Sequence, residues 1–192
     1  DRNDFTDLLP AGYDSGTVYA MDANTQVGWA SLEGNIDSQA GYWSGSAATW
    51  QSLAPGAPNT SYAQATANGR QGGSVQFEGD YAHAYLWSGT AASGLDLHPG
   101  AATYSEIKGM SSNFQVGSAA IFDGQISKTH ASFWSGSSNS WVDLHAFISP
   151  EFTISEATSI IEYADHVEVY GYVQRGCLND NKFAVMWTQP VP

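Results

Sequence analysis

The sequence predicts an all-β chain folded as a four-bladed β-propeller with four antiparallel strands per blade, and three observations carry that expectation. An aromatic-rich segment ending in Trp occurs four times, as Ala40-Gly-Tyr-Trp43, His83-Ala-Tyr-Leu-Trp87, His130-Ala-Ser-Phe-Trp134 and Phe183-Ala-Val-Met-Trp187. The spacing is roughly 50 residues, a period typical of architectures whose unit cannot bury its apolar faces alone. Within each unit, short alternating segments are separated by Gly, Ser, Asn or Pro, and no stretch carries helical periodicity. Three of the Trp segments are also followed, after a Ser-Gly turn, by an echo: Trp50-Gln-Ser-Leu53, Gly94-Leu-Asp-Leu97 and Trp141-Val-Asp-Leu144. The fourth has no successor, and its counterpart, Phe5-Thr-Asp-Leu8, stands at the start of the chain. That permutation predicts a ring closed by the N-terminal strand, residues 5–8 pairing beside Ala184-Val-Met-Trp187 and completing the C-terminal blade. An irregular β-sandwich with accidental Trp spacing is the competing fold.

The units supply their strands in a common order. Inner strands are expected at residues 17–21, 62–66, 106–110 and 156–160, and second strands at 27–34, 72–79, 116–124 and 169–176. The Trp segments are the third strands and the echoes the outer ones. The chain is then one domain over residues 1–192, divided near 5–50, 51–94, 95–141 and 142–192, with residues 1–8 completing the last blade. The four Trp side chains belong to blade core, and Ala40, Ala84, Ala131 and Ala184 are small where neighbouring sheets come close. Asp7, Ser52, Asp96 and Asp143 are expected to cap turns by bonding nearby backbone.

Composition narrows the function classes. The chain has 19 Asp and Glu against 6 Lys and Arg, a net charge of −13, while only 13% of residues are charged and 42% are apolar. An acidic surface repels phosphate backbones and anionic lipid, which disfavours nucleic-acid partners and membrane binding through a basic patch. Apolar runs are only a few residues long, far short of the roughly 20 that a spanning helix needs. The sequence opens on Asp1 without Met or apolar leader, so either a signal segment has been removed or the boundary is artificial. Few lysines with abundant Gly, Ser, Thr and Asn suggest a secreted or periplasmic bacterial protein. The single Cys177 excludes an intrachain disulfide and, lacking a visible base, reads as a thiol in a loop.

The unit Gln-Val-Gly, a strand, His-Ala-x-x-Trp-Ser-Gly and then Asp-Leu-His resembles the HAF-type extracellular repeat of bacterial exported proteins. His83-Ala84 and His130-Ala131 match best, whereas Gln39 and Phe183 replace the His in the first and fourth units. The resemblance spans nearly the whole chain. It implies a β-propeller-like repeat and export, and it prescribes no single activity.

Candidate site residues come from positions where the units differ. His83 and His130 recur at the start of a third strand and read as structural imidazoles, but His98 and His145 stand where other units have Leu9 and Ala54. Alternation along the inner strands turns Val18, Ala63, Ile107 and Ala157 toward blade core. Opposite them stand two rings lining a central channel: Thr17, Tyr62, Glu106 and Glu156 nearer the mouth, then Tyr19, Gln64, Lys108 and Thr158. Glu106 and Glu156 could act as paired acid and base, could hold a hard cation such as calcium with carbonyls and water, or could pair with Lys108 and close the channel.

Two functions follow. One is an exported ligand-binding module recognising a glycan or a secreted-protein surface through the face that carries the long, varied loops. Tyr13, Tyr19, Tyr62, Tyr104 and Phe152 would supply aromatic faces there, beside Asp14, Glu78, Asp80, Asp123 and Glu151. The other is a small secreted hydrolase, lyase or isomerase using Glu106, Glu156, Lys108, His98 and His145 at the channel mouth. No nucleotide-binding loop, zinc spacing or nucleophile elbow is present. Oligomeric state is not legible.

Overall fold

The computed structural model describes residues 4–55, 60–176 and 181–190; Cys177 lies outside them. The described chain is all-β, in four antiparallel sheets. Sheet I is built from β1 (Tyr13–Asp22), β2 (Thr25–Leu32), β3 (Ser38–Trp43) and β4 (Gln51–Ser52). Sheet II follows with β5 (Thr60–Ala67), β6 (Arg70–Gln76), β7 (Ala82–Trp87) and β8 (Leu95–Asp96). Sheet III holds β9 (Ala102–Met110), β10 (Gln115–Phe122), β11 (Ser127–Trp134) and β12 (Val142–Asp143), and sheet IV holds β13 (Ile154–Glu162), β14 (His166–Gln174) and β15 (Lys182–Pro190). Each sheet keeps chain order from its inner to its outer strand, as hairpin-connected strands do. No helix of the described residues is long and apolar enough to cross a membrane.

The sheets pack in series, I on II, II on III and III on IV. One apolar core fills each seam. Val27, Ala40 and Leu53 meet Ala63, Val75 and Trp87; Ala84, Leu86 and Leu97 meet Ile107 and Trp134; Val116, Ala131, Phe133 and Leu144 meet Ala157, Val169 and Trp187. All four third-strand Trp residues are buried, as expected. The backbone N–H groups of Ala40, Ala84 and Ala131 cross the seams to donate to Ser61, Ser105 and Ser155 Oγ at 2.8–2.9 Å. A buried N–H must find an acceptor, so a Ser on the next inner strand fixes how one sheet seats on another.

Turn chemistry recurs with the sheets. Gly45, Gly89 and Gly136 have φ of +84°, +79° and +84°, the left-handed conformation that glycine adopts without steric cost. Their N–H groups donate to Gln26, Gln71 and Gln115 Oε1 at 2.8–2.9 Å. Asp7, Asp96 and Asp143 accept from the backbone N–H two residues on at 2.7–2.9 Å, and Ser52 does so at 3.3 Å, so the expected turn caps are in place.

The chain's two ends differ from expectation. Residues 5–8 form no strand, Phe5 is 89% exposed, and the sheet of β13–β15 has three strands among the described residues, without the N-terminal one. Residues 5–9 instead border a cavity of about 240 Å³ together with Trp43 and Gly16–Val18 of sheet I. β1 carries Gly16 where the other inner strands carry the seam Ser. Val18, expected in blade core, is 42% exposed, and Ala184 is exposed while its three counterparts are fully buried.

Candidate functional site

The inner strands share one irregularity. Register shifts in the ladder leave Tyr19, Gln64, Lys108 and Thr158 as the unpaired residues of bulges in β1, β5, β9 and β13. These are the four positions that the sequence placed in the second of its two expected rings. The sequence makes the bulge through one glycine per second strand: a Cβ on Gly28, Gly73, Gly117 or Gly171 would collide with the carbonyl oxygen of Thr17, Tyr62, Glu106 or Glu156 respectively. Glycine lets the inner strand press onto the second strand there, and a bulge bends a strand and re-aims its side chains.

Three of the four bulged strands converge on one charged cluster. Lys108 Nζ lies 3.0 Å from Glu106 Oε1 and 3.0 Å from Glu156 Oε2, tying sheet III to sheet IV. From sheet II, Gln64 Nε2 donates to Glu106 Oε2 at 3.2 Å, and within sheet III Ser118 Oγ donates to Glu106 Oε1 at 3.2 Å. The three charged side chains are mostly buried, at 27%, 13% and 15% exposure for Lys108, Glu106 and Glu156. Burial pulls the Lys108 pKa down, but the two carboxylates outweigh it and hold the ammonium above its usual value. Lys108 occupies the space between the carboxylates, where a shared cation would have to sit. Among the described residues no group of three or more His, Cys, Asp and Glu is arranged to hold a metal ion.

Above this cluster, toward the ends of the strands that carry the long loops, a cleft of about 330 Å³ opens between sheets II and III. Tyr62, Gln64, Tyr104 and Glu106 line it, with Ser74 and Gln76 from the second strand of sheet II. Burial, and then the charge and hydrogen bond of Glu106, raise the Tyr104 hydroxyl well above the usual phenol range, so it is a firm donor at any ordinary pH. Tyr62 meets Trp29 edge to face at 6.1 Å, and Trp29 Nε1 donates to Tyr19 Oη at 3.1 Å. A row of aromatic and amide groups thus runs from sheet I across sheet II to the cleft.

The remaining candidates stand apart. Tyr13 is fixed between Gln39 and Trp50, donating to one at 3.1 Å and accepting from the other at 3.1 Å. Phe152 packs edge to face on Phe183, with the Arg175 guanidinium 5.3 Å from its ring and paired to Glu151 at 2.7 Å. His98 and His145 belong to the seams: their Nδ1 atoms lie 2.8 Å from Ser105 and Ser155 Oγ. These serines alternate with Tyr104, Glu106 and Glu156 along the strands and so point to the opposite side. Each ring also stacks on its neighbour, His98 on His83 at 3.8 Å and His145 on His130 at 4.1 Å, and those partners bond Asp96 and Asp143 at 2.8 Å.

Sequence reasoning missed Trp29, Ser74 and Ser118. Strand register was the available signal, because these residues stand directly across from Thr17, Tyr62 and Glu106 and share their side of the sheet. No family model, curated protein or solved structure matches the chain.

Proposed function

We propose that this protein is an exported glycan-binding module whose site is the cleft between sheets II and III. The observation that carries the reading is the pairing of Tyr62 and Tyr104 around a concave pocket otherwise lined by amides, hydroxyls, one carboxylate and the Ala82 methyl. Aromatic faces take the C–H surface of a sugar ring, and fixed donors and acceptors orient its hydroxyls. The rival reading, a hydrolase, lyase or isomerase using Glu106 and Glu156 as acid and base, has less support. Both carboxylates accept from Lys108, and Glu106 also accepts from Gln64 and Ser118. His98 and His145 bond elsewhere.

The architecture that goes with this reading is a four-bladed propeller. Its support is the seam contact made the same way three times in succession and the serial packing of β1 on β5, β5 on β9 and β9 on β13. Phe5–Leu8 would close the ring as the fourth strand of sheet IV, with Phe5 covering Trp187 as Trp50 covers Trp43 at a ring separation of 4.4 Å. Export rests on composition: few lysines and a strongly acidic, Gly-rich chain.

A glycan array followed by titration calorimetry tests the function. Hits are expected among neutral glycans, and Tyr62→Ala or Tyr104→Ala should each weaken them about tenfold, the effect of losing one stacked ring. An array without hits, or hits indifferent to both substitutions, contradicts it.

A further inference from the structure

A second depression of about 440 Å³ adjoins the first, lined by Tyr81, Thr103, Tyr104, Ala120, Ser127 and Thr129. Tyr104 borders both. The chain makes this neighbourhood continuous: Ala82, beside Tyr81, lines the first cleft, and Ala120 stands across from Tyr104 in β10 with Thr129 beyond it in β11. Tyr81 is 66% exposed, so its ring is open to a ligand at this rim. Its backbone is held in place by a 2.8 Å hydrogen bond from its N–H to Asp80 Oδ1. Thr103 and Ser127 hydroxyls lie 3.1 Å apart at the same rim.

We propose, building on the glycan reading, that these two depressions are adjacent subsites and that the ligand is a neutral oligosaccharide of at least two sugar units. One unit lies by Tyr62, the chain crosses Tyr104, and the next unit lies by Tyr81. The lining sets the class. Hydroxyls and amides suit uncharged sugar hydroxyls, whereas among the described residues neither depression has Lys or Arg in its lining. The one charged group there, Glu106, is already bonded by Lys108, Gln64 and Ser118. A uronic or sialic acid would bring its carboxylate toward Glu106 on a chain of net charge −13, with no Lys or Arg among the described residues of either lining to pair with it.

The test is calorimetric titration of the intact protein with neutral glucose, N-acetylglucosamine and mannose ligands of one to four units, alongside a uronic-acid oligosaccharide of matched length. Affinity should rise at least about fivefold from one unit to two or more, as a second aromatic platform is engaged. Tyr81→Ala should flatten that length profile, and Tyr104→Ala should weaken every length. Equal affinity for one and four units, or a length profile untouched by Tyr81→Ala, overturns the second subsite while leaving a single-site glycan reading intact. Preference for the uronic ligand overturns the neutral class. Failure of every sugar to bind overturns the glycan reading itself and this inference with it.

Discussion

At the scale of single residues, the glycine opposite each bulge is the most demanding position. Gly117 has no room for a Cβ because the Glu106 carbonyl occupies that space. Gly117→Ala should cost about 1–3 kcal/mol in chemical denaturation, the usual range for overpacking a filled site, whereas Ala at the open Gly100 should be close to neutral. Lys108 carries a different load. Replacing it with Met leaves two largely buried carboxylates facing each other, and Lys108→Met should lose about 2 kcal/mol or more in the same assay, with Glu106→Gln in that background recovering part of it. That Glu106, Glu156 and Lys108 share the side of their strands opposite Ile107 and Ala157 was legible from period-two alternation alone. Their exact reach was not, because the bulge at Lys108 depends on a carbonyl from one strand meeting a glycine on another, a contact that no local pattern announces.

At the scale of elements, the seams combine packing with titration. Ser105 is fully buried and joins the Ala84 N–H to the His98 ring. Ser105→Ala should cost about 1–3 kcal/mol by leaving that N–H without an acceptor. Burial first, and then the stacked partners His83 and His130, hold the His98 and His145 pKa values below the ordinary imidazole value. The folded chain therefore binds fewer protons than the unfolded one as these groups titrate. Their contribution to stability is complete above the unfolded value of about 6.5 and is lost as pH falls from there through the depressed folded values. Thermal melts from pH 7.5 to 5 should show a falling Tm, and the His98→Asn, His145→Asn double variant should show a shallower fall; an equal slope would contradict this account. The sequence marked these two histidines as unusual, since the other units lack them. It did not reveal their role, because their partners Ser105 and Ser155 become meaningful only when the next sheet is in place.

At the scale of the whole molecule, the four sheets follow the strand order expected from the Trp spacing, and each seam buries the Trp of the following sheet. The ends were less legible. Phe5-Thr-Asp-Leu8 copies the outer-strand pattern, but its Asp7 cap forms without the strand, because capping needs only local backbone while pairing needs β15 alongside. If the ring closes as proposed, small-angle scattering should give a radius of gyration near 16 Å, the value for a compact domain of this length, and removal of residues 1–8 should enlarge it and lower the Tm. An unchanged radius and Tm would contradict closure by this segment.

A crystal structure with an array-selected glycan bound tests the proposed site between sheets II and III. Sugar density is expected between Tyr62 and Tyr104, extending toward Tyr81 for longer chains. Density at Phe152 and Arg175, at the C-terminal end of β13 beside Glu162, or nowhere on the molecule would overturn that site.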